Sequence, residues 1–294
     1  MKYLLVDANN LAYRNFYAQN LKTSTGQNTG MIYGFLNSML SAVRDLTPDK
    51  ILYIWDPPGG SEYRKNLYGL YKGNRESKGP DFFEEMDLLK QCLDCLGCIQ
   101  ITKPGVEADD VIGGISTQVS HHDKVFIYSN DKDVLQLIGH NVDVYQPDKG
   151  LVQLGIDGKI SIKEQGKTIQ LRPDQVPDYK ALVGDASDNY PGIPGFGIGA
   201  AIKYFELNER AEAIIDGTAK LSNQRSNVLG SIIENRAMVS LWLNLAKTNY
   251  TEGYINLEQL SKPDVNKQMI IAIFEQLEFK QFLALGDIIY RIGG

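Results

Sequence analysis

The chain has 294 residues, of which 43% are hydrophobic, and its 36 Asp and Glu against 30 Lys and Arg give a net charge of −6. This length supports a buried core in one large domain or two closely packed ones. The sequence has no run of about 18 apolar residues and its N-terminus has no secretion-signal pattern, which predicts a cytoplasmic monomer without a membrane partner.

Short apolar runs alternate with helical patterns over the first half of the chain. Strands are predicted at 3–6, 50–55, 99–102, 124–128 and 142–145, and helices at 29–46, 81–96 (with Asp81 as N-cap) and 107–119. A hairpin follows between about 150 and 170, and the rest is helical. The fold class is therefore α/β, with a mostly parallel central sheet flanked by helices over residues 1–175 and a helical region over 176–294.

Acidic residues follow three of these strands. Asp7 follows the first strand, Asp56 the second, and Asp131 and Asp133 lie in the loop after 124–128. Open α/β sheets place their sites at the carboxyl ends of strands. The simpler alternative for the last pair is a capped turn, which Asn and Asp favour.

Three more acids begin the helix predicted at 107–119. Glu107 and Asp110 are three residues apart and share a helical face, whereas Asp109 points elsewhere. Acids in a first turn also interact with the helix dipole, so one or two of the three are open to a structural role.

The second half opens with Asp185 and Asp188, again three residues apart, followed by a glycine-rich run at 192–199. Such a run between helices leaves backbone N–H groups free to approach a phosphate. A helix-turn-helix of purely structural purpose is the alternative.

Together these clusters hold nine carboxylates. Without them the remainder has 27 acids against 30 basic residues, which fits an acidic pocket in a mildly basic surface. Divalent ions such as Mg²⁺ take oxygen ligands, and two of them about 4 Å apart form the clamp that hydrolyses phosphodiesters. The pattern therefore predicts a metal-dependent nuclease.

The stretch 57–80 has no apolar periodicity and combines basic with aromatic residues. They are Arg64, Lys65, Lys72, Arg75 and Lys78, interleaved with Tyr63, Tyr68 and Tyr71. Cations that follow phosphates and rings that stack on bases suit a single-stranded nucleic acid. A solvated surface excursion is the alternative.

Three cysteines form a C-x-x-C-x-x-C spacing at Cys92, Cys95 and Cys98. An iron–sulfur or zinc site would need a fourth ligand, and no fourth cysteine exists. The segment fits better an amphipathic helix in which the thiols are small packing residues.

Six stretches, in order, resemble the structure-specific 5′-nucleases, the family of flap endonucleases, phage 5′-exonucleases and the 5′-nuclease domain of DNA polymerase I. They are LLVDANNLAYR, YIWDPPGGSEYRKNLYGLYKGNR, GVEADDVIG, YSNDKDVLQL, GDASDNYPGIPGFGIG and FEQLEFKQFL. The resemblance implies a PIN-like nuclease core with a helical arch at about 57–96 and a helix–three-turn–helix motif in the helical region.

The resemblance also implies two Mg²⁺ or Mn²⁺ ions. The first would be served by what we call the first acid set, Asp7, Asp56, Glu107, Asp109 and Asp110. The second would be served by the second acid set, Asp131, Asp133, Asp185 and Asp188. Lys72 and Arg75 match the basic pair that contacts the scissile phosphate, and Tyr71 matches a ring that stacks on a base.

For DNA, the resemblance implies a 5′ single-stranded flap or end beside duplex, and replication proteins such as a polymerase and a single-strand binding protein as partners. The contacts would come from Arg14, Arg64, Lys65, Tyr71, Lys72, Arg75, Gly192, Gly195, Gly197, Gly199 and Lys203, with K⁺ at the hairpin. One departure is Gly199, where polymerase-type relatives have lysine; Lys203 lies a turn later as a substitute.

Three other functions remain alternatives. One is a DNA-structure-binding protein with weak catalysis, although none of the nine acids is lost. A phosphatase is disfavoured because Asp7 is followed by Ala8 and Asn9 rather than by a second aspartate. Ribonuclease activity, including removal of RNA primers, stays open because the metal chemistry does not itself reject a 2′-hydroxyl.

Overall fold

The computed structural model describes residues 1–18 and 20–294, and a six-stranded sheet forms its centre. The strands are β1 (Lys2–Asp7), β2 (Lys50–Trp55), β3 (Ile99–Thr102), β4 (Lys124–Tyr128), β5 (Val142–Gln146) and β6 (Gly150–Val152). Their order is β3-β2-β1-β4-β5-β6, parallel except for β6, which pairs antiparallel with β5. The inner strands are apolar on both faces because helices cover both sides, as parallel sheets require.

Helices form the two outer layers. They are α1 (Ala8–Ala18), α2 (Gly30–Leu46), α3 (Glu62–Leu67), α4 (Pro80–Cys95), α5 (Ala108–Val119), α6 (Val176–Val183), α7 (Ile198–Phe205), α8 (Glu212–Asp216), α9 (Ser226–Ala246), α10 (Lys267–Gln276) and α11 (Lys280–Ala284). A separate hairpin joins β7 (Ile160–Glu164) to β8 (Lys167–Leu171). Within the described residues no helix is long and apolar enough to cross a membrane.

The two faces of the sheet bury different cores. One contains α5 together with α6, α7 and α9, and the other contains α1, α2 and α4. Helices α10 and α11 and the last turns, Gly286–Gly293, pack into the second core, where the Tyr53 hydroxyl donates to the Ile292 carbonyl at 2.7 Å. The helical region predicted at 176–294 therefore divides: its first part covers one face of the sheet, and its last part returns to the other.

One predicted helix start differs from the structure. Asp81 is not the N-cap of its helix, because α4 begins at Pro80 after Gly79, and proline suits a first helical position. Within the stretch predicted as an arch at 57–96, α4 buries its apolar face in the second core, and we call the residues before it, 57–79, the excursion. The arch itself stays a prediction. Cys92, Cys95 and Cys98 are buried free thiols at α4 and its exit.

Candidate active site

The site lies where the chain order of the sheet reverses. Strand β1 is flanked by β2 on one side and β4 on the other, and the carboxyl ends of all three strands point to one edge. Asp7 ends β1, Asp56 follows β2, and Asp131 follows β4 by three residues. Such a switch point is the usual position of a crevice in open α/β sheets.

Short hydrogen bonds fix these acids to their neighbours. Ser129 Oγ donates to Asp7 at 2.8 Å, and the Ala108 amide, at the start of α5, donates to Asp56 at 2.9 Å. The Asp133 amide donates to Asp131 at 2.9 Å. Asp7 also accepts from the Asn10 amide at 3.1 Å through its other oxygen, so these bonds fix the orientation of the carboxylates at the crevice.

Acids from both sets converge on one cavity of about 300 Å³. Seven of the nine predicted carboxylates line it: Asp7, Asp56, Glu107, Asp109, Asp131, Asp133 and Asp188. Lys72, Arg75 and Lys78 from the excursion line it too, so cations face the acids across the opening. Asp110 and Asp185 do not line this cavity.

Arg64 explains why Asp110 does not line the cavity. Its guanidinium is 2% exposed and binds Asp110 through two hydrogen bonds of 2.7 and 2.8 Å, Glu107 at 2.8 Å, and the Leu245 and Lys247 carbonyls. All five donors of Arg64 are taken up inside the protein, so a contact with nucleic acid would require these bonds to break, and the predicted contact stays a prediction. Both oxygens of Asp110 accept from Arg64, and neither faces the cavity.

Tyr71 is likewise not placed as a stacking platform. Its ring is 3% exposed, and its hydroxyl donates to Glu107 at 2.9 Å and reaches Asp188 at 3.3 Å. The Tyr71 hydroxyl thus joins the two acid sets in this conformation, and stacking of its ring on a base stays a prediction.

Lys72 lies beside Tyr71 in a left-handed backbone conformation, φ 55°, which turns its side chain into the cavity. Its ammonium is 2.5 Å from Glu107 and 3.8 Å from Asp188, and Arg75 approaches Asp188 at 3.5 Å. The excursion is thereby held closed over the acids by ion pairs to both acid sets.

Asp185 is held by a residue that the sequence analysis missed. Lys180, on α6, is 6% exposed, and its ammonium pairs with both Asp133 and Asp185. Oxygen atoms of Asp133, Asp185 and Asp188 nevertheless lie within 4.8 Å of one another. The signal in the sequence was a single lysine among the apolar residues of VPDYKALV, five positions before Asp185.

The crowding of carboxylates shifts their ionisation. Burial, with the charges of Asp56 and Asp131, raises the pKa of Asp7 to about 8, and burial also raises the pKa of Asp56. Burial opposes ionisation of Asp185, but Lys180 and Ser187 outweigh it and lower the pKa of this carboxyl to about 2. Asp185 is therefore stabilised in its ionised form by a protein cation, whereas Asp7 lies mainly among other carboxylates.

Among the remaining residues predicted to contact DNA, some line a second cavity and one is buried. Gly195, Gly197, Gly199 and Lys203 line a cavity of about 350 Å³ at the start of α7, whereas Gly192 is buried. A Cβ on Gly192 would come within 2.3 Å of the Gly184 amide nitrogen, so this glycine is required for backbone packing. Its contact with DNA stays a prediction.

Two basic residues near the acids lie outside the acidic cavity. Arg14 on α1 pairs with Asp148, and Lys65 donates to the Gly59 carbonyl beside a neighbouring cavity of about 500 Å³. Both side chains are part of the protein surface that surrounds the crevice.

Two family models match the chain. One, described as 5′-3′ exonuclease, N-terminal resolvase-like domain, matches residues 2–166, and the other, 5′-3′ exonuclease, C-terminal SAM fold, matches residues 171–268. The chain belongs to the 5′-3′ exonuclease family. This membership agrees with the resemblance stated from the sequence motifs.

Two relatives in this family differ in length. A 5′-3′ exonuclease of Aquifex aeolicus is 33% identical over 295 residues, which cover 98% of this chain and 96% of that protein. DNA polymerase I of Mycobacterium tuberculosis is 32% identical over 285 residues, 94% of this chain, and the chain spans 30% of the polymerase.

A solved structure has the same fold. The bacteriophage T5 flap endonuclease, crystallised with DNA and metal ions, aligns with a TM-score of 0.67 at 19% identity, over 95% of this chain and 100% of that chain. At this identity the likeness concerns the fold, a mostly parallel sheet with flanking helices and a helical C-terminal part.

Proposed function

We propose that the protein is a divalent-metal-dependent 5′-nuclease, a 5′-3′ exonuclease and flap endonuclease that hydrolyses DNA phosphodiesters at 5′ flaps, nicks or ends. The observation that carries this proposal is the convergence of seven carboxylates on one cavity closed by Lys72 and Arg75. A cavity of this composition suits a phosphate held between cations.

The donor set fits two Mg²⁺ or Mn²⁺ ions. All seven lining acids offer hard oxygen ligands, and burial beside other carboxylates raises the pKa of Asp7, so a cation bound there would stabilise its ionised form. Asp7, Asp56, Glu107 and Asp109 would hold one ion, with Asp110 acting through Arg64, and the second acid set would hold the other. Bound there, the ions supply an activated water and a stabilised leaving oxygen.

The chain's own residues would bind and orient the DNA. Lys72 and Arg75 give up their ion pairs to Glu107 and Asp188 when a phosphate enters, and they neutralise charge that develops on its oxygens. Hydrolysis forms a bond from water oxygen to phosphorus and breaks the bond from phosphorus to O3′, leaving a 5′-phosphate and a 3′-hydroxyl.

The duplex side of the substrate would be held at the cavity formed by Gly195, Gly197 and Gly199. Helix α7 begins there, and Lys167, Lys203 and Arg225 line the same cavity. The Lys167 ammonium lies 3.0 Å from where a Cβ on Gly199 would be, so a lysine from β8 replaces the cation that Gly199 lacks. K⁺ at this hairpin and replication proteins as partners remain predictions.

The test is a gel assay of the purified protein in Mg²⁺ with labelled 5′ flap, 3′ flap, nicked duplex and single strand. We expect metal-dependent cutting confined to the 5′-ended structures. Tight binding without cutting in either Mg²⁺ or Mn²⁺ would instead support the alternative of a DNA-structure-binding protein. An RNA-primed 5′ end in the same series tests primer removal.

A further inference from the structure

A buried ammonium already lies among the carboxylates of the second acid set. Lys180 pairs with Asp133 and Asp185, two of the three residues whose oxygens lie within 4.8 Å of one another. Within residues 1–18 and 20–294, these two carboxylates are the hydrogen-bonding and ion-pair partners of its Nζ. A protein cation therefore pairs with two of the same carboxylates that a divalent ion would use.

Lys180 has space to withdraw. It does not line the acidic cavity but an adjacent one of about 350 Å³, which Asp131 and Asp185 share with Lys132 and Glu164. A lysine ammonium is a single charge on a flexible stem, so it can leave one carboxylate without breaking a planar network of bonds.

We propose that Lys180 competes with the divalent cation for Asp133 and Asp185. Without metal, Lys180 holds the second acid set together. When an ion binds, Lys180 releases at least one of the two carboxylates, so this end of the site binds metal more weakly than the first acid set does. The proposal rests on the proposed function for the identity of the acid sets as metal ligands.

A scaffolding role for Lys180 predicts the opposite sign. If Lys180 only positioned Asp133 and Asp185 for the ion, removing it would disorder them and weaken metal binding. If Lys180 competes, removing its charge leaves the carboxylates free and strengthens binding. The sign of the change in metal affinity therefore separates the two roles.

The experiment measures Mn²⁺ binding without DNA, by the electron paramagnetic resonance signal of free Mn²⁺, for the wild type and for Lys180→Met. Methionine keeps much of the side-chain volume and removes the charge. We expect the weaker Mn²⁺ affinity to rise about tenfold or more. An unchanged or lower affinity overturns the proposal.

Thermal melting gives a second readout. Lys180→Met should melt below the wild type without metal, because Asp133 and Asp185 lose their counter-charge, and Mn²⁺ should raise its melting temperature by more than it raises that of the wild type. An equal or smaller rise contradicts competition. Lys180→Gln serves if the methionine variant does not fold, and Lys180→Arg, which keeps the charge, should retain weak binding.

Lys132→Met is the matched control. Lys132 lines the same adjacent cavity but pairs with Glu164 at 3.0 Å. We expect its Mn²⁺ affinity to stay within twofold of the wild type; a rise as large as that of Lys180→Met would mean a general field effect and would overturn the proposal. If the wild type cuts DNA and Lys180→Met binds Mn²⁺ no tighter, the competition fails while the proposed function stands.

Discussion

Two buried cations occupy the two ends of the acidic site, and they are held in different ways. Arg64 binds Glu107 and Asp110 and also fills its remaining donors with the Leu245 and Lys247 carbonyls. Lys180 has only carboxylates of the second acid set as partners among the residues that the structure describes. Arg64 is therefore fixed in the architecture, whereas Lys180 can exchange its partners.

The negative charge of this site is therefore compensated in two ways, permanently by Arg64 and replaceably by Lys180. A guanidinium with five donors in a fixed fork needs a complete set of acceptors, and α9 and its exit provide two of them. The three donors of an ammonium rotate freely on a flexible stem, so Lys180 requires no fixed set of acceptors. Substitutions of the acids and cations of the site, taken in order of decreasing effect, test whether Arg64 and Lys180 differ in this way.

The largest effect is expected at the second acid set. Asp131→Asn keeps the side-chain oxygen that accepts from the Asp133 amide but removes a charge from the cavity. We expect cutting of a 5′ flap to fall by about 10³-fold or more, with DNA binding in Ca²⁺ largely retained. Asp287→Asn, an exposed acid on the last turns, should cut normally. Wild-type cutting rates from Asp131→Asn would contradict the assignment.

Removing the permanent cation should cost stability that metal does not restore. Arg64→Met leaves Asp110 buried without its counter-charge and Glu107 paired with Lys72 alone, and we expect the free energy of unfolding to fall by about 3–5 kcal/mol. Urea denaturation with and without Mn²⁺ measures this. Because Asp110 does not line the cavity, Mn²⁺ should rescue Arg64→Met much less than Lys180→Met. Equal stabilisation of both variants by Mn²⁺ would contradict the difference between Arg64 and Lys180.

An exposed arginine provides the control for that experiment. Arg172 pairs with Asp174 at the surface, where ion pairs contribute about 0–1 kcal/mol. Arg172→Met should therefore change the free energy of unfolding by less than about 1 kcal/mol. A larger loss would show that replacement by methionine is itself harmful in this protein.

Lys72 contacts both acid sets, so its loss should affect catalysis more than binding. We expect Lys72→Ala to lower the single-turnover cutting rate by about 10²-fold, with a much smaller change in the dissociation constant for the 5′ flap. Lys65→Ala removes a charge from the same excursion without touching an acid and should weaken binding only. If rate and affinity fell equally in Lys72→Ala, Lys72 would only bind DNA.

The smallest effect, taken per pH unit, is a pH dependence of the metal-free protein. Because the pKa of Asp7 is raised to about 8 when folded, the folded state holds a proton that the unfolded state has lost above about pH 4. The free energy of unfolding should therefore fall as pH rises from 5 towards 8, by up to about 1.4 kcal/mol per pH unit for this group.

Melting curves without metal from pH 5 to pH 8 check the sign. Asp7→Asn should flatten the slope, since asparagine does not titrate. Saturating Mn²⁺ should reverse the slope, because metal binding requires the ionised carboxylate. A slope that is unaffected by Asp7→Asn would place the titrating group elsewhere.

The strands were predictable because β-branched and aromatic residues form short apolar runs, as in KILYIW and KVFIY, and each run is a strand. Helix α1 was not identified, since three asparagines and an arginine interrupt the apolar residues of ANNLAYRNFYA, and its packing against α2 comes from tertiary contacts. The return of the last turns to the second core also depends on contacts remote in sequence, such as Tyr53 with Ile292.

For the site, strand ends and helix starts located the acids, and seven of them meet in one cavity. The roles of the basic residues were harder to predict. A lysine or arginine is buried only where buried acids are close enough to pair with it, and that depends on the tertiary structure. Arg64 and Lys65 are adjacent in sequence, yet one is buried against Asp110 and the other is exposed. Composition alone predicts the same role for both.

The backbone after α9 also constrains how the protein can be shortened or altered. Gly113 and Gly114, in the middle of α5, lie against Thr248 and Gly253, and a Cβ on Gly253 would come within 1.7 Å of the Asp110 carbonyl oxygen. A deletion that stopped the chain at 246 would uncover these glycines and remove the Asn249 amide from Asp110. The helix that carries Glu107 and Asp109 would lose its cover, so residues 247–254 are a part of the nuclease that protein engineers should leave intact.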